Sequence, residues 1–364
     1  MKNLYKYISV SVLAMAGLNS CHNADIEFDD FEDGVSVYFP YQMPIRTLCM
    51  GEDEYNTDRD NNHQCLISAT MGGSYKGKNI TVNIAVDESL CNNVYKPDGV
   101  TPVSAMPASY YQLSSNTINF DGDMAGSVVV TLSDEFFNDP KSVAEEYVIP
   151  VVMTSQTGAD RILTGEYDSE TNPTAPSRLS DKWSVAPKDY TLFCVTYISK
   201  YEGFFLRRIT NIDGKDSIHT ATLPELPDYP VVVSNYRFKQ GTDSIRKYSI
   251  EPANEPIVST KTVNLNKVTY TASVNGTDYH LVLDFASGQV AAAEGETYTA
   301  TGTCEYRDHS EKKAWGNKDR DGLYLTYTVS DGTESHTVNE TLVLQRRGIT
   351  IKTEENGNKY VVKE

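Results

Sequence analysis

The chain predicts an all-β fold, and three observations carry that reading. Apolar and polar residues alternate over short runs, as where Ile80, Val82, Ile84 and Val86 face one way and Thr81, Asn83 and Ala85 the other; a period of two with one apolar face is the mark of a half-buried strand. No stretch holds the 3.6-residue period of an amphipathic helix, and Lys141 to Glu146 is the single helical turn the pattern supports. Hairpin dipeptides then recur in the second half: Asp213-Gly214, Asn275-Gly276, Asp331-Gly332 and Asn356-Gly357. Such pairs accept the positive φ values of a type I′ turn, whose twist matches that of the strands it joins.

Taken in order, the strands begin after Gly34. Val35 to Phe39 alternates and stops short of Pro44. Cys65 to Thr70, Ile80 to Val86, Tyr110 to Leu113, Thr117 to Phe120 and Val128 to Leu132 follow. Tyr147 to Met153 is interrupted by Pro150, which places it at an edge or a bulge because proline cannot donate to a ladder. About seven short strands over about 125 residues read as an immunoglobulin-like sandwich covering residues 34–155. Residues 156–190 hold Pro173, Pro176 and Pro187 among Gly, Ser, Asp and Asn, the composition of a semi-stiff linker. Residues 191–364 form the second domain, opening with Leu192 to Ile198 and Phe204 to Thr210. Leu265 to Val274 pairs with Thr277 to Phe285, and Gly322 to Ser330 with Glu334 to Gln345, across their turns. Consecutive hairpins make an antiparallel meander, which closes as a barrel or folds as a second sandwich; the barrel-like form is the one we favour.

Charge narrows the partners. The net charge is −18. Residues 22–190 carry 10 Lys and Arg against 27 Asp and Glu, and residues 191–364 carry 20 against 23. An acidic surface of this kind excludes nucleic acid, which needs a basic footprint. Neutral sugars need no charge complement. Apart from Cys21 there are five cysteines (Cys49, Cys65, Cys91, Cys194 and Cys304) at wide spacing and without a CxxC, so no disulfide framework or zinc site is indicated. One bridge among Cys49, Cys65 and Cys91 is compatible with export, and buried single thiols fit better.

Motifs that carry chemistry fail on inspection. Gly72 to Lys78 fits seven positions of a phosphate loop, but Asn79 replaces the Ser or Thr that ligates magnesium, and a strand follows where a helix is required; the segment reads as a hairpin turn. Asn317 to Gly322 alternates oxygen ligands as calcium loops do, yet Thr328 stands at the bidentate position and Lys318 and Arg320 offset the charge. It reads as a strand-entry turn. Asp58 to His63 reads as an exposed loop. No GxSxG or HExxH is present, and the six histidines do not cluster in sequence. The expectation is a non-enzyme with no cofactor and no metal. What remains are the aromatics: 24 Tyr, 11 Phe and two Trp. Sugars present C–H faces that stack on exposed rings. Trp315, in the polar turn Glu311 to Asn317, is the leading candidate, with Tyr306 and Asp319 as neighbours, and Trp183 is second.

The N-terminus sets the location. Lys2 and Lys6 precede an apolar run, Tyr7 to Leu18, that ends at Leu18-Asn19-Ser20-Cys21. A charged start and a short apolar core describe a signal peptide over residues 1–21, and the run falls short of the roughly 20 residues of a membrane-spanning helix. The ending resembles the lipobox of bacterial lipoproteins, in which the residue at the place of Cys21 is acylated. Residues 22–33 carry Asp25, Glu27, Asp29, Asp30, Glu32 and Asp33, a solvated acidic tether that resembles the surface-export signal of Bacteroidetes lipoproteins. Together with Tyr110 to Leu113, Val128 to Leu132 and Tyr147 to Val151, this looks like the N-terminal immunoglobulin-like domain of a group of Bacteroidetes surface lipoproteins. Tyr197 to Gly203 is similar to the opening of a β-rich module found behind it. The resemblance implies a spacer ahead of a module that binds glycans or, in some members, hydrolyses them; the hydrolases' large α/β barrel has no counterpart here. The reading is a lipid-anchored outer-membrane protein facing the exterior, non-catalytic, holding a glycan or glycoconjugate for nutrient acquisition, with an outer-membrane uptake complex as a possible partner. The alternative is an adhesin or fimbria-like component with a protein partner. A glycoside hydrolase would need paired carboxyls roughly 5–10 Å apart in a cleft.

Overall fold

The computed structural model describes residues 29–52, 56–170, 174, 176–216, 257–314, 318–347 and 360–363. Cys21, Trp315 and the Asn356-Gly357 turn lie outside them. Among the described residues no helix is long and apolar enough to cross a membrane.

The first unit contains β1 (Ser36–Tyr38), β2 (Ile45–Cys49), β3 (Gln64–Gly72), β4 (Thr81–Val86), β5 (Val94–Tyr95), β6 (Ser104–Ala105), β7 (Tyr111–Leu113), β8 (Thr117–Asn119), β9 (Ala125–Leu132), β10 (Tyr147–Thr157) and β11 (Arg161–Ile162). After the short strands β12 (Glu166–Tyr167) and β13 (Trp183–Val185) comes β14 (Tyr190–Ile198). Two sheets face each other, in the orders β11-β1-β3-β9-β7 and β2-β14-β10-β4-β8, with β6 beside β10. Alternation puts Cys65, Ile67, Ala69 and Met71 of β3, and Val128, Val130 and Leu132 of β9, into a core shared with Ile149, Val151 and Val195 of the other sheet.

Five local expectations change. The boundary at 191 is wrong for β14, which pairs with both β10 and β2 at the centre of the first unit's second sheet. Its residues 190–197 are all buried, so the strand is held by packing on both faces rather than by its place next to the barrel. The predicted linker 156–190 contributes β11 to a sandwich sheet. Pro150 sits inside a central strand, opposite Leu192. Its missing donor faces away from β14, toward the gap between β6, which pairs with residues 147–148, and β4, which pairs from Val151 onward. The Gly72 to Lys78 segment is no hairpin, since β3 and β4 belong to different sheets. Asp58 to His63 is no exposed loop either: Asp58–Asn61 is a short helix. Its buried Asp60 accepts from the Cys49 amide at 2.8 Å and pairs with Arg46. None of the five described cysteines forms a disulfide.

The second unit is an eight-stranded antiparallel barrel. Its strands are β15 (Gly203–Ile212), β17 (Ile257–Asn264), β18 (Lys267–Val274), β19 (Thr277–Asp284), β20 (Gln289–Ala292), β21 (Thr299–Glu311), β22 (Arg320–Ser330) and β23 (Ser335–Arg346), with β16 (Lys215–Asp216) as an appendage of β15. β15 pairs with both β17 and β23, closing the ring. Asp213-Gly214 and Asn275-Gly276 have positive φ at both positions, as type I′ requires. Asp331-Gly332 does not; the loop has four residues, and the Asp331 carboxylate accepts from the Thr333 and Glu334 amides. An eight-stranded barrel has an interior that side chains fill, and here Tyr270, Leu281, Leu325, Tyr327 and Leu342 are among those that fill it. The interior also encloses an ion pair. Arg207 Nε donates to Glu340 at 2.6 Å and Nη1 to the Ser273 carbonyl at 2.6 Å, while the Tyr327 hydroxyl donates to Glu340 at 3.0 Å.

Arg347 joins the two units, donating to the Lys200, Met50 and Ser199 carbonyls at 2.7–2.8 Å. β24 (Val361–Val362) returns to pair with β5, so the chain's end also belongs to the first unit.

Candidate functional sites

Of the predicted stacking group, Tyr306 and Asp319 are described, and each has partners of its own. Tyr306 lies in β21 just before its bulge, with its ring partly buried, edge-on to Tyr201 at 5.3 Å. Tyr201 in turn stacks on Phe285 at 4.1 Å. Lys200 Nζ stands 4.6 Å from the Tyr306 centroid. The Tyr306 hydroxyl donates to Asp321 at 3.0 Å. Burial and then the Asp321 charge push this phenol well above its ordinary value. Lys200 thus covers part of the ring and the hydroxyl proton is committed to Asp321. Asp319 is not beside it; its carboxylate accepts from the Lys313 amide and Lys312 Nζ, both at 2.9 Å. That amide, with Lys312, holds the Asp319 carboxyl below its usual range. Trp315 falls between these described neighbours but outside the described residues.

The hairpin of β21 and β22 assembles a group that sequence spacing does not reveal. His309 Nδ1 lies 2.8 Å from Asp308 Oδ1, and the His309 amide donates to Asp321 at 3.0 Å. Glu52, from the first unit, is 3.7 Å from His309 Nε2. The hydrogen bond to Asp308 and the surrounding carboxylates raise the His309 pKa. Asp308, His309 and Asp321 offer three metal-ligating atoms within 4.8 Å of one another. Asp308 and Asp321 stand thirteen positions apart, and only the bulged pairing between Arg307 and Glu311 brings them together.

Trp183 is placed differently from a linker residue. β12 and β13 form a two-stranded ribbon, and Tyr167 is the direct partner of Trp183. The rings meet edge to face, with centroids 5.3 Å apart at 82°, the geometry that ring quadrupoles favour. The indole N–H donates to the Ser177 carbonyl at 2.9 Å, fixing the ring. Val185, two residues on and 52% exposed, lies across a register shift and is paired with Glu166, not with Tyr167.

A cleft of about 370 Å³ opens in the sandwich beside β2 and β3. Phe39, Tyr41, Pro44 and Phe193 make its apolar wall, and Arg46, Arg59 and Thr191 its polar contacts. Motif reading could not find it, because its residues come from four segments.

The comparisons with known proteins can be set beside this geometry. Residues 30–160 match a family profile described as "-like, N-terminal domain", and residues 200–348 match a domain of unknown function, DUF5627. A crystal structure of a Bacteroides ovatus protein of unknown function is 31% identical, with a TM-score of 0.72, over 92% of this chain and 100% of that one. The chain belongs to the same family as that protein. Two further Bacteroides ovatus structures are more distant. One, of unknown function, is 10% identical with a TM-score of 0.36, over 89% of this chain and 96% of that one. The other, provisionally described as a carbohydrate binding protein, is 13% identical with a TM-score of 0.26, over 71% of this chain and 67% of that one. No curated protein matches the chain.

Proposed function

We propose that the protein is a non-catalytic binding module, carried on the outer membrane by a lipid on Cys21, that holds carbohydrate for nutrient acquisition. The Trp183 ring, set edge to face on Tyr167 in the ribbon, is the observation that carries this reading. Trp183 is oriented by a cross-strand ring and a backbone hydrogen bond, and its indole N–H is already used, so what it offers a ligand is ring surface. A ring fixed before binding loses little rotamer entropy on binding. Ser184, exposed beside it, donates to the Glu166 carbonyl at 2.8 Å and keeps its oxygen as an acceptor. The carboxylates and imidazole at the barrel mouth are engaged with Tyr306, with backbone and with one another, which favours a structural role there. The acidic tether over residues 22–33 would keep the body solvated above the membrane, where a neighbouring uptake complex could receive the sugar.

Affinity electrophoresis of residues 22–364 against plant and mucin polysaccharides tests the proposal, with Trp183→Ala and Trp315→Ala in parallel. Retardation lost in Trp183→Ala supports the ribbon, and loss in Trp315→Ala moves the site to the turn that holds Trp315. Unretarded migration in every glycan overturns the proposal. The adhesin reading has its own support in an unpaired strand edge.

A further inference from the structure

That edge borders the cleft. In an antiparallel ladder alternate residues bond to opposite neighbours. The Leu132 amide donates to the His63 carbonyl and the Met71 amide to the Met124 carbonyl, which turns the odd-numbered residues of β3 toward β9 and the even-numbered ones toward β1. β1 ends at Tyr38, opposite Thr70; Phe39 faces the other way and donates to the Lys188 carbonyl, and Pro40, next in line on the β3 side, has no amide to donate. Leu66 and Ser68 therefore aim their amides and carbonyls at a strand position that no described residue fills. Both line the cleft. Thr191, 2% exposed, lines it too, and its hydroxyl has no hydrogen-bond partner. A buried polar group without a partner costs free energy, and so does an open edge in an apolar groove.

Charge points to the occupant. The half of the chain that builds the sandwich carries 27 acidic residues against 10 basic ones, yet two of those ten, Arg46 and Arg59, line this cleft. Asp60 pairs with Arg46. Arg59 is exposed and makes no ion pair among the described residues. An extended segment alternating acidic and apolar residues would satisfy the edge, the wall and the arginines together. The chain holds one: Ala24-Asp25-Ile26-Glu27-Phe28-Asp29. In its own copy this segment leads into Phe31, whose amide donates to the Gly73 carbonyl at the far end of β3. β1 fills the edge between. The described start of the chain therefore meets β3 at the end away from the cleft.

We propose that the cleft receives residues 24–29 of a second copy as an added strand, paired to Leu66 and Ser68 with its acidic side chains toward Arg59. This goes beyond the glycan reading and places self-association on the sandwich, away from Trp183.

Sedimentation equilibrium of residues 22–364 tests it, together with hydrogen exchange over residues 64–69. Concentration-dependent association is expected, with the Leu66 and Ser68 amides becoming protected as it proceeds. Arg59→Glu and Asp25→Lys/Glu27→Lys should each weaken association about tenfold or more, the equivalent of about 1.4 kcal/mol. Combining them reverses both charges and should restore it. Both changes sit at exposed or tether positions, so folding is kept, and unchanged circular dichroism verifies that. A synthetic peptide of residues 22–30 should compete. A monomer at every concentration overturns the proposal, as does association indifferent to both variants. Protection of residues 64–69 by a polysaccharide instead of by concentration gives the cleft to a sugar and overturns it as well.

Discussion

Removing the buried charge of Glu340 is the perturbation whose outcome the barrel defines most sharply. Its side chain is 0% exposed and that of Arg207 3%. Glu340 takes hydrogen bonds from Arg207 Nε and from the Tyr327 hydroxyl. The balance is incomplete, because Arg207 Nη2 and the Tyr270 hydroxyl are buried without partners. Burial, and then the Glu340 charge, push the Tyr327 phenol far above its ordinary range, so that phenol stays a donor. Glu340→Ala leaves the Arg207 cation alone in the barrel, which costs about 3–5 kcal/mol. Arg207→Met strands the carboxylate and costs a similar amount. Arg207→Met with Glu340→Leu removes both charges and fills the space with apolar atoms, a change that is neutral or stabilises by about 1–4 kcal/mol. Native-state hydrogen exchange at the Leu325 and Leu342 amides reads the barrel separately from the sandwich. Each single variant should lower protection there by about two to four orders of magnitude, and the double variant should regain it. A double variant as unstable as the sum of the two singles would refute the reasoning. So would a Glu340→Ala cost below about 1 kcal/mol, since a surface pair costs that little.

Three other outcomes follow from the same geometry. Arg347→Met removes three hydrogen bonds from a cation to carbonyls of the junction; it should cost about 2–4 kcal/mol and split one urea transition into two, sandwich and barrel. His309 should titrate by NMR above its ordinary 6.5, because Asp308, then Asp321 and Glu52, favour the cation. The stability that this adds is complete below 6.5 and is lost as pH rises through the raised folded value; Asp308→Asn should bring the midpoint down. Gly302→Ala would set a methyl 2.2 Å from the Thr326 carbonyl oxygen across β21 and β22. Backbone cannot yield as a side chain does, so a cost of about 3 kcal/mol is expected, read as lost protection at Leu325.

What the sequence determined by itself is the part of the fold governed by local chemistry. Alternation marks the faces of β3, β4 and β9, because the pleat assigns successive side chains to opposite sides. Asn275-Gly276 marks its hairpin because few residues tolerate positive φ twice running. The meander in the second half follows from such turns, and the all-β class from the two signals together. The tertiary structure decided what depends on partners distant in the chain. Barrel closure rests on β15 meeting β23, more than a hundred residues away, and β14 joined the sandwich because β2 and β10 flank it. Pro150 is tolerated mid-sheet only because its missing donor meets a gap between two neighbours. The sites divide in the same way. Trp183 could be singled out from composition, but its ring partner Tyr167 could not. Tyr306 could be named as aromatic but not recognised as occupied by Asp321. The acidic group at His309 and the cleft at Leu66 are written in no contiguous motif, since each is assembled by strand register, and register is set by the packing of whole sheets.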